Sequence, residues 1–264
     1  MLFISFLRLG MTSFGGPAMI AYIRRMSVEQ KGWLEEDTFR AGVALCQFIP
    51  GASAMQMAAY VGLRARGVKG AAISYIAFGL PAFLLITALS ALYAETQELP
   101  VTASLFSGLQ AIIIAIVAYA AFTFARSYLN RGRDYLVAAI AAAIFIAGVS
   151  PFLVILLAAF GGLLIYRNLP QVEDKSVVIE KQETLAPSIL ISCAAGLGFV
   201  LLYLFRRDLF ELAASMFWVD LFAFGGGFAS LPLMLNEVVA VRSWMDYQTF
   251  MSGIALGQIT PGPI

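Results

Sequence analysis

Long apolar stretches alternate with short polar ones along this chain, and their lengths predict helices that cross or enter a membrane. The first apolar segment runs from Met1 to about Ile23 and is interrupted by Gly15-Gly16-Pro17; the polar stretch Arg24 to Asp37 follows. The second runs from Thr38 to Leu63, with Pro50-Gly51 near its middle, and ends at a basic loop containing Arg64, Arg66 and Lys69. The third, Gly70 to Tyr93, carries Gly79 and Pro81; the fourth, Val101 to Ala125, is the least interrupted. After the basic stretch Arg126 to Asp134 come two shorter segments, Tyr135 to Val149 and Pro151 to Tyr166. Together they are too long for one crossing, and Ser150-Pro151 between them suits a tight turn, because proline cannot continue a helix interior. Arg167 to Pro187 is polar and reads as a linker. Ser188 to Phe205 and Leu209 to Leu235 are the seventh and eighth segments, and a ninth opens near Met245.

Composition agrees with this pattern. Apolar residues make up 61% and charged residues 12%, whereas a soluble domain has roughly 45–50% and about 25%. The fold class expected is all-α, a polytopic transmembrane helical bundle with the lipid bilayer as its solvent. The net charge of +1 gives no field that would attract nucleic acid. The absence of histidine removes the commonest metal ligand and neutral-pH proton carrier. No metal site or cofactor is expected, and no nucleophile triad points to an enzyme. Cys46 and Cys193 both lie in apolar segments and read as packing residues.

One motif occurs twice. Phe14-Gly15-Gly16-Pro17, Trp33, Phe39, Gly42, Gln47 and Pro50-Gly51 return as Phe224-Gly225-Gly226-Gly227, Trp244, Phe250, Gly253, Gln258 and Pro261-Gly262. From tryptophan onward the spacing is a constant 211 residues; upstream it is 210. Seven crossings from the second segment through the eighth would set the two copies in opposite directions, an inverted-topology repeat of the kind used by secondary transporters. The expected organisation is a first repeat over residues 1–166, a linker over 167–187, and a second, truncated repeat over 188–264. Lysine and arginine placement favours a cytoplasmic Arg64 to Lys69 loop. That assignment leaves Arg24, Arg25 and Lys31, and also Arg206 and Arg207, on the outside, against the rule.

Glycine triplets and Pro-Gly pairs break helices, and broken backbone at membrane depth is tolerated where protein or a wet cavity satisfies it. Half-helix N-termini attract anions and free carbonyls attract cations. Close packing through small residues is the competing reading. Gln47 and Gln258 precede each Pro-Gly by three residues; they would orient a ligand oxygen or satisfy a backbone group that proline frees. Arg8 would hold an oxyanion or snorkel to the headgroups. Asp220 would carry a coupling proton, or would pair with Arg8. Arg40 is expected at the interface, with Trp33 and Trp244 as interfacial anchors.

At these residues the sequence resembles the chromate ion transporter family. Ser13 to Pro17, Trp33, Gln47-Phe48-Ile49-Pro50-Gly51, Phe224 to Gly227, Trp244 and Gln258-Ile259-Thr260-Pro261-Gly262-Pro263 carry the resemblance, with Tyr60-Val61-Gly62 and Leu80-Pro81. The chain departs from the family pattern at Met19, at Ala52 and over Trp218 to Asp220. The resemblance implies export of chromate by two antiparallel halves with proton coupling. Substrate binding would then fall to Arg8, Phe14, Gly15, Gly16, Pro17, Gln47, Pro50, Gly51, Gly225, Gly226, Gly227, Gln258, Pro261 and Gly262. Another oxyanion such as sulfate, a non-transporting scaffold, and a homodimer or other pairing with a second chain all stay open.

Overall fold

The computed structural model describes residues 1–14, 16–96, 99–166, 186–224 and 227–263, and among them all regular structure is helical. The first repeat opens with α1 (Leu2–Thr12), α2 (Gly16–Arg24) and a π-helical segment (Arg25–Gln30), followed by α3 (Glu36–Phe48) and α4 (Ser53–Thr96). Helix α4 is two arms, 53–65 and 68–96, folded back on each other at Arg66 and Gly67. Gly67 takes φ +64°, which glycine adopts without the Cβ clash other residues suffer. The arms touch at Gly62 and Gly70, where a Cβ on either residue would meet the other's carbonyl. The Ser74 hydroxyl donates to the Ala58 carbonyl at 2.7 Å and ties them further.

The pairs α1–α2 and α3 with the first arm of α4 each fold back on themselves as hairpins. Helix α1 runs alongside the second arm: the Phe6 ring meets Phe78 edge-on at 6.2 Å, and Gly10 lies against the Phe78 backbone and Pro81. The chain then breaks at Ser13 and returns, so that Trp33 stacks on Phe6 at 6.3 Å. Helix α3 enters from the same face and turns at Pro50-Gly51. The first arm brings it back, with Cys46 beside Met57 (Sγ to Sδ 3.8 Å) and the Tyr60 hydroxyl donating to the Thr38 carbonyl at 3.2 Å. Phe6, Met19, Ile23, Met57, Val61 and Phe78 are fully buried and form the core of this half.

The second arm of α4 spans about 40 Å at 1.5 Å per residue and crosses to the opposite face. Helix α5 (Pro100–Tyr128) comes back antiparallel to it, with Tyr93 against Phe106 at 4.6 Å. Among the described residues, the helices long and apolar enough to cross a bilayer are α4 and α5. Their outward faces expose Phe83, Leu84, Ile114 and Phe122, as lipid contact requires. Helices α6 (Gly132–Ile146) and α7 (Pro151–Tyr166) form the expected hairpin, turning through Gly148 at φ +85°.

After α8 (Ala186–Phe205) come α9 (Arg207–Phe222), α10 (Gly227–Leu235), a π-helical segment (Asn236–Val241) and α11 (Tyr247–Ile259), which carry the second copy of the motif. It reproduces the first even in its irregularities. The Lys31 amide donates to Met26 at 3.1 Å and that of Arg242 to Glu237 at 3.0 Å; Trp33 donates to Ser27 at 2.8 Å and Trp244 to Val238 at 2.9 Å. Helices α9 and α10 again form a hairpin, with Arg242 reaching back to Glu211 at 3.8 Å. Helix α11 runs antiparallel to the second arm of α4: Ala255 and Leu256 pack with Ile86, Leu89 and Tyr93, and Gly262 lies against Ala82. The corresponding α3 descends from the other face. The repeats are therefore inverted.

Two expectations are corrected. The segment Thr38 to Leu63 is not one crossing, because Pro50-Gly51 turns the chain back and brings Met57 and Tyr60 against Cys46 and Thr38. With these hairpins, Arg24, Arg25 and Lys31 share a face with Arg64, Arg66 and Lys69. That removes the conflict with the charge rule for these three; Arg206 and Arg207 stay on the opposite face, and Arg242 joins them there. Trp33 is also not a simple headgroup anchor, since it covers the core at Phe6, whereas Trp244 is exposed beneath the Arg242 guanidinium at 5.1 Å.

Candidate functional site

The four helix breaks meet in two pairs. The Gly51 amide donates to the Ala223 carbonyl, and the Gly262 amide donates to the Ser13 carbonyl, each at 2.9 Å. Gly51 and Gly262 are equivalent corners, and Ala223 and Ser13 are equivalent helix ends. Each repeat thus satisfies the carbonyl that the other leaves free. Both corners need left-handed backbone, φ +112° at Gly51 and +124° at Gly262, which is the physical reason for glycine after each proline.

A third group completes the first corner. The Gln56 side-chain amide donates to the Pro50 carbonyl at 2.6 Å and to that of Ile49 at 3.3 Å, while its Oε1 is buried without a partner. The sequence offered this role to Gln47 and Gln258 as the alternative to orienting a ligand oxygen. Gln56 was missed because it follows the corner; its signal was a lone amide in the apolar run Ala52 to Val61. Gln47 is exposed and Gln258 half-buried, and neither makes a hydrogen bond among the described residues. Gln47 instead lines a cavity of about 890 Å³ together with Phe224, Pro232 and Tyr247, so it faces a residue of the other repeat's motif.

Gly16 and Gly227 open α2 and α10 and give each half-helix an N-terminus at the break. Pro17 follows within the first turn of α2, where its missing N–H costs nothing. Phe14 is exposed. Gly15, Gly225 and Gly226 lie outside the described residues. Pro50 and Pro261 are half-buried at the corners. A second cavity, about 500 Å³, lies along the second arm of α4 beside the end of α11 and is walled by Met55, Gly79, Ala82, Thr260 and Pro263. Arg8 and Asp220 form no ion pair among the described residues. Arg8 faces an open cavity between α1 and α2, and Asp220 is exposed on α9.

At the mouth of the first repeat, Arg24 grips Glu36 through Nη2 at 2.8 Å and Glu29 through Nη1 at 2.7 Å. Hydrogen bonding from Arg24 holds the Glu36 carboxyl below its ordinary range. Arg40, an exposed residue, adds a contact to Glu36 at 3.1 Å. No cluster able to hold a metal ion occurs among the described residues.

An uncharacterised transporter of Methanocaldococcus jannaschii is 43% identical over the whole chain and 66% of its own length. A chromate transport protein of Cupriavidus metallidurans is 31% identical over 98% of the chain, and one of Pseudomonas aeruginosa 30% identical over all of it; the chain covers 63% of each. The chain thus spans just under two thirds of the length of these relatives. No solved structure matches it. A sequence profile of chromate transporters matches residues 1–163 and 210–264, the two stretches that carry the paired breaks. An all-α membrane protein with these inverted broken-helix hairpins, matched over both of them, belongs to the chromate transporter family.

Proposed function

We propose that this chain carries chromate out of the cytoplasm through the junction of its inverted hairpins, as an inner-membrane transporter. The observation that carries the reading is the reciprocal pairing of Gly51 with Ala223 and of Gly262 with Ser13. Among the described residues, a 2.9 Å backbone bond joins the corner of each repeat to the helix end of the other. Exchanging these two bonds for bonds to water or ligand lets one repeat move against its mate, as alternating access requires. The half-helix N-termini at Gly16 and Gly227 suit an anion, with Gln47 and Gln258 orienting it there; Arg8, on the cavity between α1 and α2, holds the anion before it reaches the breaks. Asp220 carries the coupling proton. The Arg25, Lys31 and Arg64 face is cytoplasmic by the charge rule. A dianion leaving a negative-inside cell gains about 4.6 kcal/mol per 100 mV. The unit spans the first repeat to residue 166, a linker to 187, and the second repeat from 188.

Accumulation of labelled chromate in cells expressing the protein tests this. Reduced accumulation that excess sulfate leaves unchanged is expected. Unchanged or raised accumulation defeats the export reading, and relief by sulfate points to sulfate as the cargo. Asp220→Asn is expected to abolish the pH dependence of flux; an unaltered profile rejects the proton role.

A further inference from the structure

The cavity that Arg8 faces has a character of its own. It measures about 470 Å³ and lies between α1 and the returning α2 with its π-helical segment. Arg8, Arg25 and Lys31 line it, with Ser5, Tyr22 and Thr12, and no carboxylate among the described residues does. Of the acids in the stretch that follows, Glu29 and Glu36 are taken by Arg24, with Arg40 sharing Glu36, and Glu35 and Asp37 do not line the cavity. Arg8, Arg25 and Lys31 have no ion pair among the described residues. Three cations gathered around one wet space repel each other until an anion enters. Two guanidiniums and an ammonium match the oxygens of a tetrahedral dianion.

The second repeat did not keep this arrangement. At the equivalent positions stand Trp218, Asn236 and Arg242. The Trp218 ring packs on Phe222 at 4.9 Å and Phe152 at 6.0 Å, and Glu237 neutralises Arg242 at 2.6 Å. A feature that served only the fold would be filled alike in both halves. The cationic cavity exists in one repeat and opens on one face.

We infer that this cavity is a recruitment site for a tetrahedral oxyanion, separate from the helix corners, with Arg25 and Lys31 as its specific ligands beside Arg8. The inference rests on the transporter reading for its purpose, and its test uses binding, so the two fail separately. The same chemistry is offered by free oxyanions and by the phosphate of an anionic lipid headgroup.

The experiment measures labelled sulfate binding to the purified chain in nanodiscs of phosphatidylcholine. The Arg25→Gln/Lys31→Gln double variant is compared with Arg64→Gln, whose side chain lies outside the cavity. Saturable binding, displaced by chromate but not by chloride and weakened at least tenfold only in the double variant, is expected; Arg25→Lys/Lys31→Arg should restore part of it. In a second arm, native mass spectrometry counts phosphatidylglycerol retained by each form. Lipid lost only in the double variant, and displacing sulfate from the wild type, makes the headgroup the occupant. The proposal is overturned if neither sulfate nor phosphatidylglycerol binds the wild type, or if the double variant binds both unchanged while keeping the wild-type helical circular dichroism.

Discussion

The amide of Gly262 donates to the carbonyl of Ser13, a residue at the opposite end of the chain and in the other repeat. Its inverted image, Gly51 to Ala223, has the same length. An inverted duplication brings two equivalent breaks to one depth, so each can supply what the other lacks. Buried backbone polar groups must be paired, and here the duplication itself provides the partners.

Replacing Gly262 with alanine should damage the protein more than its size suggests. The new Cβ would meet Ala82 and would sit at φ +124°. A cost of about 1–3 kcal/mol is expected, read as a lower melting temperature in detergent. Amide hydrogen exchange at residue 262, whose N–H makes the bond to the Ser13 carbonyl, should rise in the variant; unchanged exchange there would contradict the pairing.

Equivalent glycines should respond differently. A Cβ on Gly42 would enter the Tyr60 ring, which its hydroxyl bond to Thr38 holds in place, whereas one on Gly253 meets nothing within 4 Å. Gly42→Ala should destabilise the chain by about 1–3 kcal/mol. Gly253→Ala should be neutral or stabilising by up to about 1 kcal/mol, the helix preference of alanine over glycine. Equal melting shifts for the pair would reject this packing.

Gln56→Leu should cost about 1–3 kcal/mol, because it strands the Pro50 carbonyl without its donor. Gln47→Leu loses no hydrogen bond and should leave the melting temperature near that of the wild type while altering transport. A larger thermal effect at Gln47 than at Gln56 would reverse the two roles.

The mouth of the first repeat should weaken in acid. Arg24 lowers the Glu36 carboxyl in the folded chain. The stability it contributes is therefore present above the ordinary glutamate value of about 4.3 and is lost as pH falls through the lower folded value. Melting followed from neutral pH to about pH 3 should show an acid-side decline that Glu36→Gln reduces, because glutamine no longer titrates.

The breaks were legible in the sequence because glycine and proline weaken a helix wherever they fall inside an apolar segment, and here they fall at matching places twice. The turn back at Pro50-Gly51 was not, since two half-helices and one crossing have the same hydropathy. The hairpin between Tyr135 and Tyr166 was readable because Ser150-Pro151 divided a run too long for one span. Gln56 was overlooked since its role depends on a turn that brings it back over residues already passed. The π-helical segments have no sequence signature here; their agreement became visible only when Lys31 and Arg242 made the same backbone bond. The cationic cavity was hidden because Arg8, Arg25 and Lys31 converge only when α1 and α2 form a hairpin.

The bond from Gly51 to Ala223 also has a meaning in time. At about 5–20 residues per second, a ribosome reaches Ala223 roughly 10–30 s after it has made Gly51. Through that interval the first corner exists without its acceptor, at a depth where water is scarce. The early half must wait unfinished, its turn held by Gln56 from its own arm, until the late half arrives. Gln56, made only a few residues after the corner, donates to the Pro50 and Ile49 carbonyls and steadies the turn before the Ala223 carbonyl exists to accept from Gly51.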